Sequence, residues 1–309
     1  MKNENNHASD IPRKDWVEKL LPNHIQPYIR LSRIDRPTGA WLLLFPCWWS
    51  VALAIKDWNN ITELLNLFIL FLFGAIIMRA AGCCLNDIFD HKLDAHVART
   101  SNRPIAAKLI TVKQASIFMI SLCGLGLIIL LQFNKLTIYF GLASIILVII
   151  YPLTKRFTYW PQLILGFTFN WGALLGWIAT AGELQAPAVV LYAAGIFWTL
   201  GYDTIYALQD INDDVKVGIK SLALKFQNNI HLFLCFVFTI TIILMLMAGY
   251  MVNLHWLFYF GISITAIHAI WQVCTININD PLDCLKKFKS NQVFSWLFLL
   301  SIIFGKISI

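Results

Sequence analysis

Six aspartates have the types and spacing best suited to chemistry: Asp87, Asp90 and Asp94 in one stretch, and Asp210, Asp213 and Asp214 in another. They are six of the 17 acidic residues, and converging like charges raise one another's pKa unless cations neutralise them. Magnesium suits such a set, because it takes oxygen ligands, one or two carboxylates per ion, and completes its shell with water and phosphate oxygens. The expected metal-binding residues are Asn86, Asp87, Asp90, Asp94, Asp210, Asp213 and Asp214. A magnesium-bound diphosphate keeps negative charge, and Lys155, Arg156 and Lys220 are the cations expected to meet it. Taken singly, Asp94 or Asp213 reads equally well as a solvated loop aspartate. Asp203 weighs against that reading for the whole set, since it lies about two turns deeper in an apolar stretch, where an ionisable side chain signals function.

The two stretches share an offset. Arg79, Asn86 and Asp90 fall at i, i+7 and i+11, as do Asp203, Asp210 and Asp214, which places each trio within roughly 20° of one helix face. Arg79 and Asp203 then sit at corresponding depths. Burying a guanidinium demands a fixed anion. Arg79 is expected to pair with Asp203 in a structural bridge or to receive another anion.

The elements that must hold these residues follow from composition. The chain is 58% hydrophobic and 13% charged over 309 residues, against roughly a quarter charged in a soluble domain. Stretches near the roughly 20 apolar residues of a spanning helix recur at Pro37–Ile55, Leu64–Leu85, Ala115–Leu131, Leu136–Pro152, Leu163–Ala181, Ala186–Leu208, Ile230–Val252, Leu254–Thr275 and Val293–Ile309. The expected fold is therefore an all-α integral membrane protein of about nine transmembrane helices. Four helices separate the two acidic stretches, which predicts two parallel four-helix repeats, about 37–152 and 163–275, plus a ninth helix at 293–309. Residues 1–36 form a polar N-terminal segment with no apolar signal-peptide core, in which Asp15–Leu21 has helical spacing suited to a membrane surface.

Of the 24 lysines and arginines, twenty fall in the N-terminal segment and alternate connections, Lys56, Lys135 and Lys306 fall on the opposite side, and Arg79 lies inside a span. The positive-inside rule then puts the N-terminus and the acidic stretches in the cytoplasm and the C-terminus outside. The net charge of +7 is spread over separate loops rather than one stripe, which argues against a nucleic-acid partner. Seven cysteines show no Cys-x-x-Cys pair and read as small packing residues.

Asn86-Asp87-Ile-Phe-Asp90-His-Lys-Leu-Asp94, followed by Arg99-Thr-Ser-Asn-Arg103-Pro104, resembles the N-D-x-x-D-x-x-x-D motif of the UbiA superfamily of membrane aromatic prenyltransferases. Asp210-Ile-Asn-Asp213-Asp214 resembles its second motif, D-x-x-x-D. Asp35-Arg36-Pro37-Thr-Gly39, Met78-Arg79-Ala-Ala-Gly-Cys and Tyr202-Asp203-Thr-Ile-Tyr206-Ala are similar to the flanks of those members that prenylate 4-hydroxybenzoate in ubiquinone synthesis. Ala98, Ala107 and Leu222 depart from residues usual in that subgroup, and none is an expected metal ligand.

The resemblance implies a magnesium-dependent transfer of a polyprenyl group from polyprenyl diphosphate to the ring of 4-hydroxybenzoate, ortho to its hydroxyl. Asp90, Asp210, Asp214 and Arg156 would be the catalytic set, and Arg79 with Asp203 would bind the acceptor. Membrane lipid is the other expected partner, in a bacterial inner membrane or an equivalent organelle membrane. Aromatic faces among Tyr151, Trp171, Trp177, Trp198, Tyr202 and Tyr206 are available to steady an allylic cation. A prenyltransferase for another acceptor and a cation-coupled transporter are the alternatives the residues leave open. A transporter predicts acids near the bilayer midplane rather than at one interface.

Overall fold

The computed structural model describes residues 11, 15–56, 61–97, 99–154, 156–211, 215, 218 and 220–307. Lys155, Asp213 and Asp214 lie outside the described residues. Among these the chain is all helix and loop: α1 (Trp16–Leu20), α2 (Gln26–Leu31), α3 (Thr38–Ala54), α4 (Ile61–Asp94), α5 (Val112–Leu130), α6 (Lys135–Thr154), α7 (Pro161–Ala181), α8 (Ala186–Ala207), α9 (Leu222–Lys225), α10 (Ile230–Met251), α11 (Trp256–Thr275) and α12 (Pro281–Ile307), with short 3₁₀ turns at Leu208–Asp210 and Gln227–Asn229. Among the described residues, seven helices are long and apolar enough to cross a membrane, and apolar α3 is shorter at 17 residues. This is a multi-pass membrane protein.

Every expected span falls on a helix, with two differences of extent. Helix α4 continues to Asp94, so the first acidic stretch is the end of a 34-residue helix rather than the start of a loop. At 1.5 Å per residue it is about 51 Å long, more than the roughly 30 Å of hydrocarbon, so its polar last turns project beyond the apolar layer. Helix α12 starts at Pro281, twelve residues before the expected Val293. Asp280 accepts from Leu282 N at 2.9 Å, Pro281 begins the helix and Asp283 stands in its first turn, an N-terminal signature hidden by the lysines that follow.

The chain divides into two compact units, Met1–Gly39 with Ile76–Ile128, and Ala40–Ala75 with Ile129–Ile309. The first has a small core of Leu31, Cys84, Ile105, Ile110 and Ala115, lined by Tyr28, Ile88 and Phe118. Helix α1 forms where Asp15 caps the amides of Val17 and Glu18 at 3.1 and 3.3 Å. Helix α5 begins on a reciprocal cap: Gln114 N donates to Thr111 Oγ1 at 3.2 Å, and Thr111 N donates to Gln114 Oε1 at 2.9 Å.

In the second unit, hydrogen bonds pair helix ends in two sets. At one end Lys306 Nζ donates to Ile55 O at 2.6 Å and Asn134 Nδ2 donates to Ile178 O at 2.8 Å, joining the C-terminal ends of α3 and α12 and the turn before α6 to the end of α7. At the other, Leu222 N donates to Gln162 Oε1 at 3.1 Å and His231 Nδ1 lies 3.1 Å from Val273 O. Close packing comes from Gly172 and Gly176 of α7, where an added Cβ would collide with Cys47 of α3. Small residues four apart let backbones approach where lipid removes the usual hydrophobic drive. Cys47, Cys83, Cys84 and Cys284 are buried as packing residues, whereas Cys123, Cys235 and Cys274 are exposed.

Candidate active site

The first unit carries the first acidic motif on the last turns of α4. Asp87, Asp90 and Asp94, at i, i+3 and i+7, are all buried. Two arginines reach this face: Arg33, which charge counting assigned to the positive-inside excess, and Arg103, which also follows the acidic motif in the family-like stretch. Arg33 Nη2 donates to Asp87 Oδ1 at 2.8 Å. Arg103 Nη1 donates to the same oxygen at 3.2 Å and to Asp94 Oδ1 and Oδ2 at 3.1 and 3.0 Å. Removing Arg103 would strip a partner from two buried carboxylates, a change of the kind that costs about 3–5 kcal/mol.

Arg33 is presented by a strained turn. Its φ is 59°, a left-handed conformation uncommon outside glycine and asparagine. The turn is anchored by Arg30, whose Nη1 donates to Asp15 Oδ2 at 2.5 Å and Asp35 Oδ2 at 2.8 Å and whose Nη2 donates to Asp15 Oδ1 at 2.7 Å. Hydrogen bonding from Arg30 outweighs burial and holds the Asp15 carboxyl below the usual carboxylate range. Burial pulls the other way at Arg30 too, but hydrogen bonds to Asp15 and Asp35 prevail and raise its pKa. The Asp15–Leu21 segment is thus helical as expected and tied to α2.

Arg79 is half-buried on α4, two turns before Asn86, and its guanidinium lies against Gly39: a Cβ there would stand 2.5 Å from Nε. Gly39, quoted only as part of a flank, thereby acquires a physical reason for having no side chain.

The second unit carries the remaining candidates. Asp203 is half-buried on α8, and Asp210 ends the 3₁₀ turn after it. The change of helix type there departs from the regular 100° spacing by which the sequence set Asp203 and Asp210 on one face. Lys220 Nζ donates to Phe157 O at 3.3 Å and stands 5.5 Å over the Tyr159 ring, bringing it beside exposed Arg156. Among the candidate aromatics, Trp198 and Tyr202 are wholly buried, their rings 4.8 Å apart in an edge contact, and Trp177 is buried as well. Trp171 is taken up by Phe140 and Tyr192. Tyr151 and Tyr206 keep partial exposure.

Among the described residues no three His, Cys, Asp or Glu side chains converge to hold a metal. The donor chemistry still fits magnesium. Asn86, Asp87, Asp90 and Asp94 offer hard oxygens on adjacent turns, and Asp87 Oδ2 is buried and accepts no hydrogen bond.

Buried carboxylates thus stand on the last turns of a long helix inside an all-helical, multi-pass membrane fold. The chain belongs to the UbiA prenyltransferase family, whose model matches residues 43–302. It is 46% identical over 296 residues to the mitochondrial 4-hydroxybenzoate polyprenyltransferase of Dictyostelium discoideum, covering 95% of this chain and 63% of that protein. It is 45% identical over 304 residues to the enzyme of that name from Aedes aegypti, covering 97% of this chain and 68% of that protein. The chain thus spans about two thirds of these relatives' length. A UbiA homolog from Archaeoglobus fulgidus, solved bound to GPP and Mg2+, shares the fold with a TM-score of 0.63 and 19% identity over 92% of this chain and all of that one. The family to which the chain belongs is thus one of prenyltransferases rather than of cation-coupled transporters.

Proposed function

We propose that the chain transfers a polyprenyl group from polyprenyl diphosphate to 4-hydroxybenzoate, at the ring carbon ortho to the hydroxyl, as a membrane step of ubiquinone biosynthesis. The observation that carries this reading is the buried acidic face Asp87, Asp90 and Asp94 where α4 leaves its apolar span. The similarity, over 95% and 97% of this chain, to 4-hydroxybenzoate polyprenyltransferases supports the choice of acceptor.

In this proposal Asn86, Asp87, Asp90 and Asp94 of the first unit, and Asp210, Asp213 and Asp214 of the second, hold magnesium. Bound magnesium would supply positive charge to offset the departing diphosphate. Lys155, Arg156 and Lys220 take the outer diphosphate oxygens, an electrostatic role worth several kcal/mol in comparable sites. Asp90, Asp210, Asp214 and Arg156 are the proposed catalytic residues. Arg79 and Asp203 serve the acceptor, Arg79 by pairing with its carboxylate. The allylic carbon that loses diphosphate is attacked by the phenol ring, and the ring proton is lost as aromaticity returns.

The proposal also places a single transmembrane domain over residues 37–309, built of two parallel repeats and a ninth helix. The N-terminus and acidic residues face the cytoplasm of a bacterium, or the equivalent face of an organelle membrane. Washed membranes containing the protein, given labelled polyprenyl diphosphate, magnesium and 4-hydroxybenzoate, should form the prenylated acid. Transfer only to a different aromatic, or none at all, overturns the assignment.

A further inference from the structure

Asp87 and Asp94 are acids already engaged by arginines. Arg33 and Arg103 donate to Asp87 Oδ1 at 2.8 and 3.2 Å, and Arg103 reaches both oxygens of Asp94 at 3.1 and 3.0 Å. The group is well buried, with Asp87 1% and Arg103 9% exposed. Guanidinium cannot shed its proton, so neither arginine can relax by becoming neutral. A bare divalent cation approaching these carboxylates meets two fixed positive charges or must displace one from a buried ion pair. A diphosphate brings its own negative charge and offers the arginines another anion.

Resting on the prenyl-transfer reading, we infer that Arg33 and Arg103 are positioning residues that set the order of loading. They hold Asp87 and Asp94 in ion pairs that disfavour a lone divalent cation and admit the cation together with diphosphate. Arg33 is the more informative member. It comes from the N-terminal segment, and its left-handed turn is fixed by the Arg30 pairs to Asp15 and Asp35. The strain at this turn is localised at the residue that delivers the charge.

The test uses the full-length protein in detergent, with Mn2+ as probe and no diphosphate, bound metal being read from loss of the free-ion paramagnetic resonance signal. Wild type should bind weakly. Arg33→Gln should bind about tenfold more tightly, because one positive charge is gone from a low-dielectric surrounding. Arg33→Lys keeps the charge and should resemble wild type. Arg33→Gln with Asp87→Asn should bind no more tightly than wild type. Unchanged or weaker binding by Arg33→Gln, or a double variant as tight as Arg33→Gln, overturns the inference. If Arg33→Gln does not fold, Asp87→Asn alone decides: it should bind more weakly than wild type, and equal or tighter binding overturns the inference. The same preparations are assayed for prenyl transfer. Inactive wild type defeats the functional reading, whereas active wild type without the Arg33→Gln gain defeats only the loading order.

Discussion

Gly39→Ala tests the proposed acceptor site without touching a charged residue. An added Cβ would stand 2.5 Å from Arg79 Nε, 2.8 Å from Nη2 and 3.0 Å from Cζ. Ordinary contact begins near 3.4 Å, so the guanidinium must retreat by about 1 Å. It is the far end of a flexible side chain, so it moves and the helices stay. A shift of that size takes a hydrogen bond out of its useful range. Charge-assisted hydrogen bonds contribute about 1.5–3 kcal/mol. Their loss corresponds to roughly a tenfold to hundredfold rise in the apparent KM for 4-hydroxybenzoate.

The assay is initial-rate transfer in washed membranes, varying one substrate at a time at equal amounts of protein. The KM for polyprenyl diphosphate should stay within about twofold, because the substitution leaves the acidic face in place. Arg79→Gln should reproduce the same split. An unchanged acceptor KM in Gly39→Ala, or equal increases for both substrates, refutes the assignment of Arg79 to the acceptor.

Asp90→Asn and Asp210→Asn should each lower turnover by about a hundredfold or more in membranes that retain the protein, and chelator should abolish wild-type turnover until magnesium is restored; near-normal rates in either variant contradict their role. Reporter fusions after Lys108 and Lys225 should read cytoplasmic and one after Gln185 should not, a cytoplasmic signal at Gln185 being fatal to the topology. The link from Asp15 to Arg30 should be acid-sensitive. Because Asp15 has a lowered pKa when folded, its contribution is fully present above the unfolded value of about 3.9 and is lost as pH falls through the folded one. Hydrogen exchange in residues 15–31 should therefore quicken only in acid below that range, and Asp15→Asn should exchange quickly at every pH; quickening that begins near pH 6 would assign the link to other groups.

Span positions were legible because hydropathy reports directly on contact with lipid, and the acidic motif was legible because its spacing matches a helical face. The partners of that motif were not. Arg33 lies 54 residues from Asp87, and nothing local distinguishes it from neighbouring arginines that follow the positive-inside rule. Its one local peculiarity, positive φ, is invisible in an arginine codon for codon, whereas a glycine would have advertised it. Lys287 shows the same limit. Charge counting put it in a loop, yet it is buried in α12, donates to Thr275 Oγ1 at 2.5 Å and sits 3.8 Å over the Trp271 ring. Hydropathy treats lysine as a signal for water, but an aromatic face and a hydroxyl can stand in for water.

The two units use polar groups for different ends. In the second, Trp198 Nε1 donates to Asn291 Oδ1 at 2.9 Å, Asn291 Nδ2 donates to Gln272 Oε1 at 2.9 Å, and Gln272 Nε2 meets His268 Nδ1 at 3.2 Å. This chain of bonds crosses α8, α11 and α12. Trp49 Nε1 adds α3 by donating to Ser295 O at 3.0 Å. Between helices surrounded by lipid, apolar packing gains little over apolar solvation, so such bonds distinguish one helix arrangement from another. Buried polar networks serve that purpose when their members are paired. In the first unit the buried polar groups include ion-paired side chains, among them Asp87 and Asp94 with Arg103 at the end of α4. Ion pairs are a poor choice for stability alone, since desolvation offsets much of their attraction. Their presence here accords with the proposed diphosphate substrate: a multiply charged headgroup would be bound by exchanging one set of charged partners for another, and a neutral network has no charge to exchange.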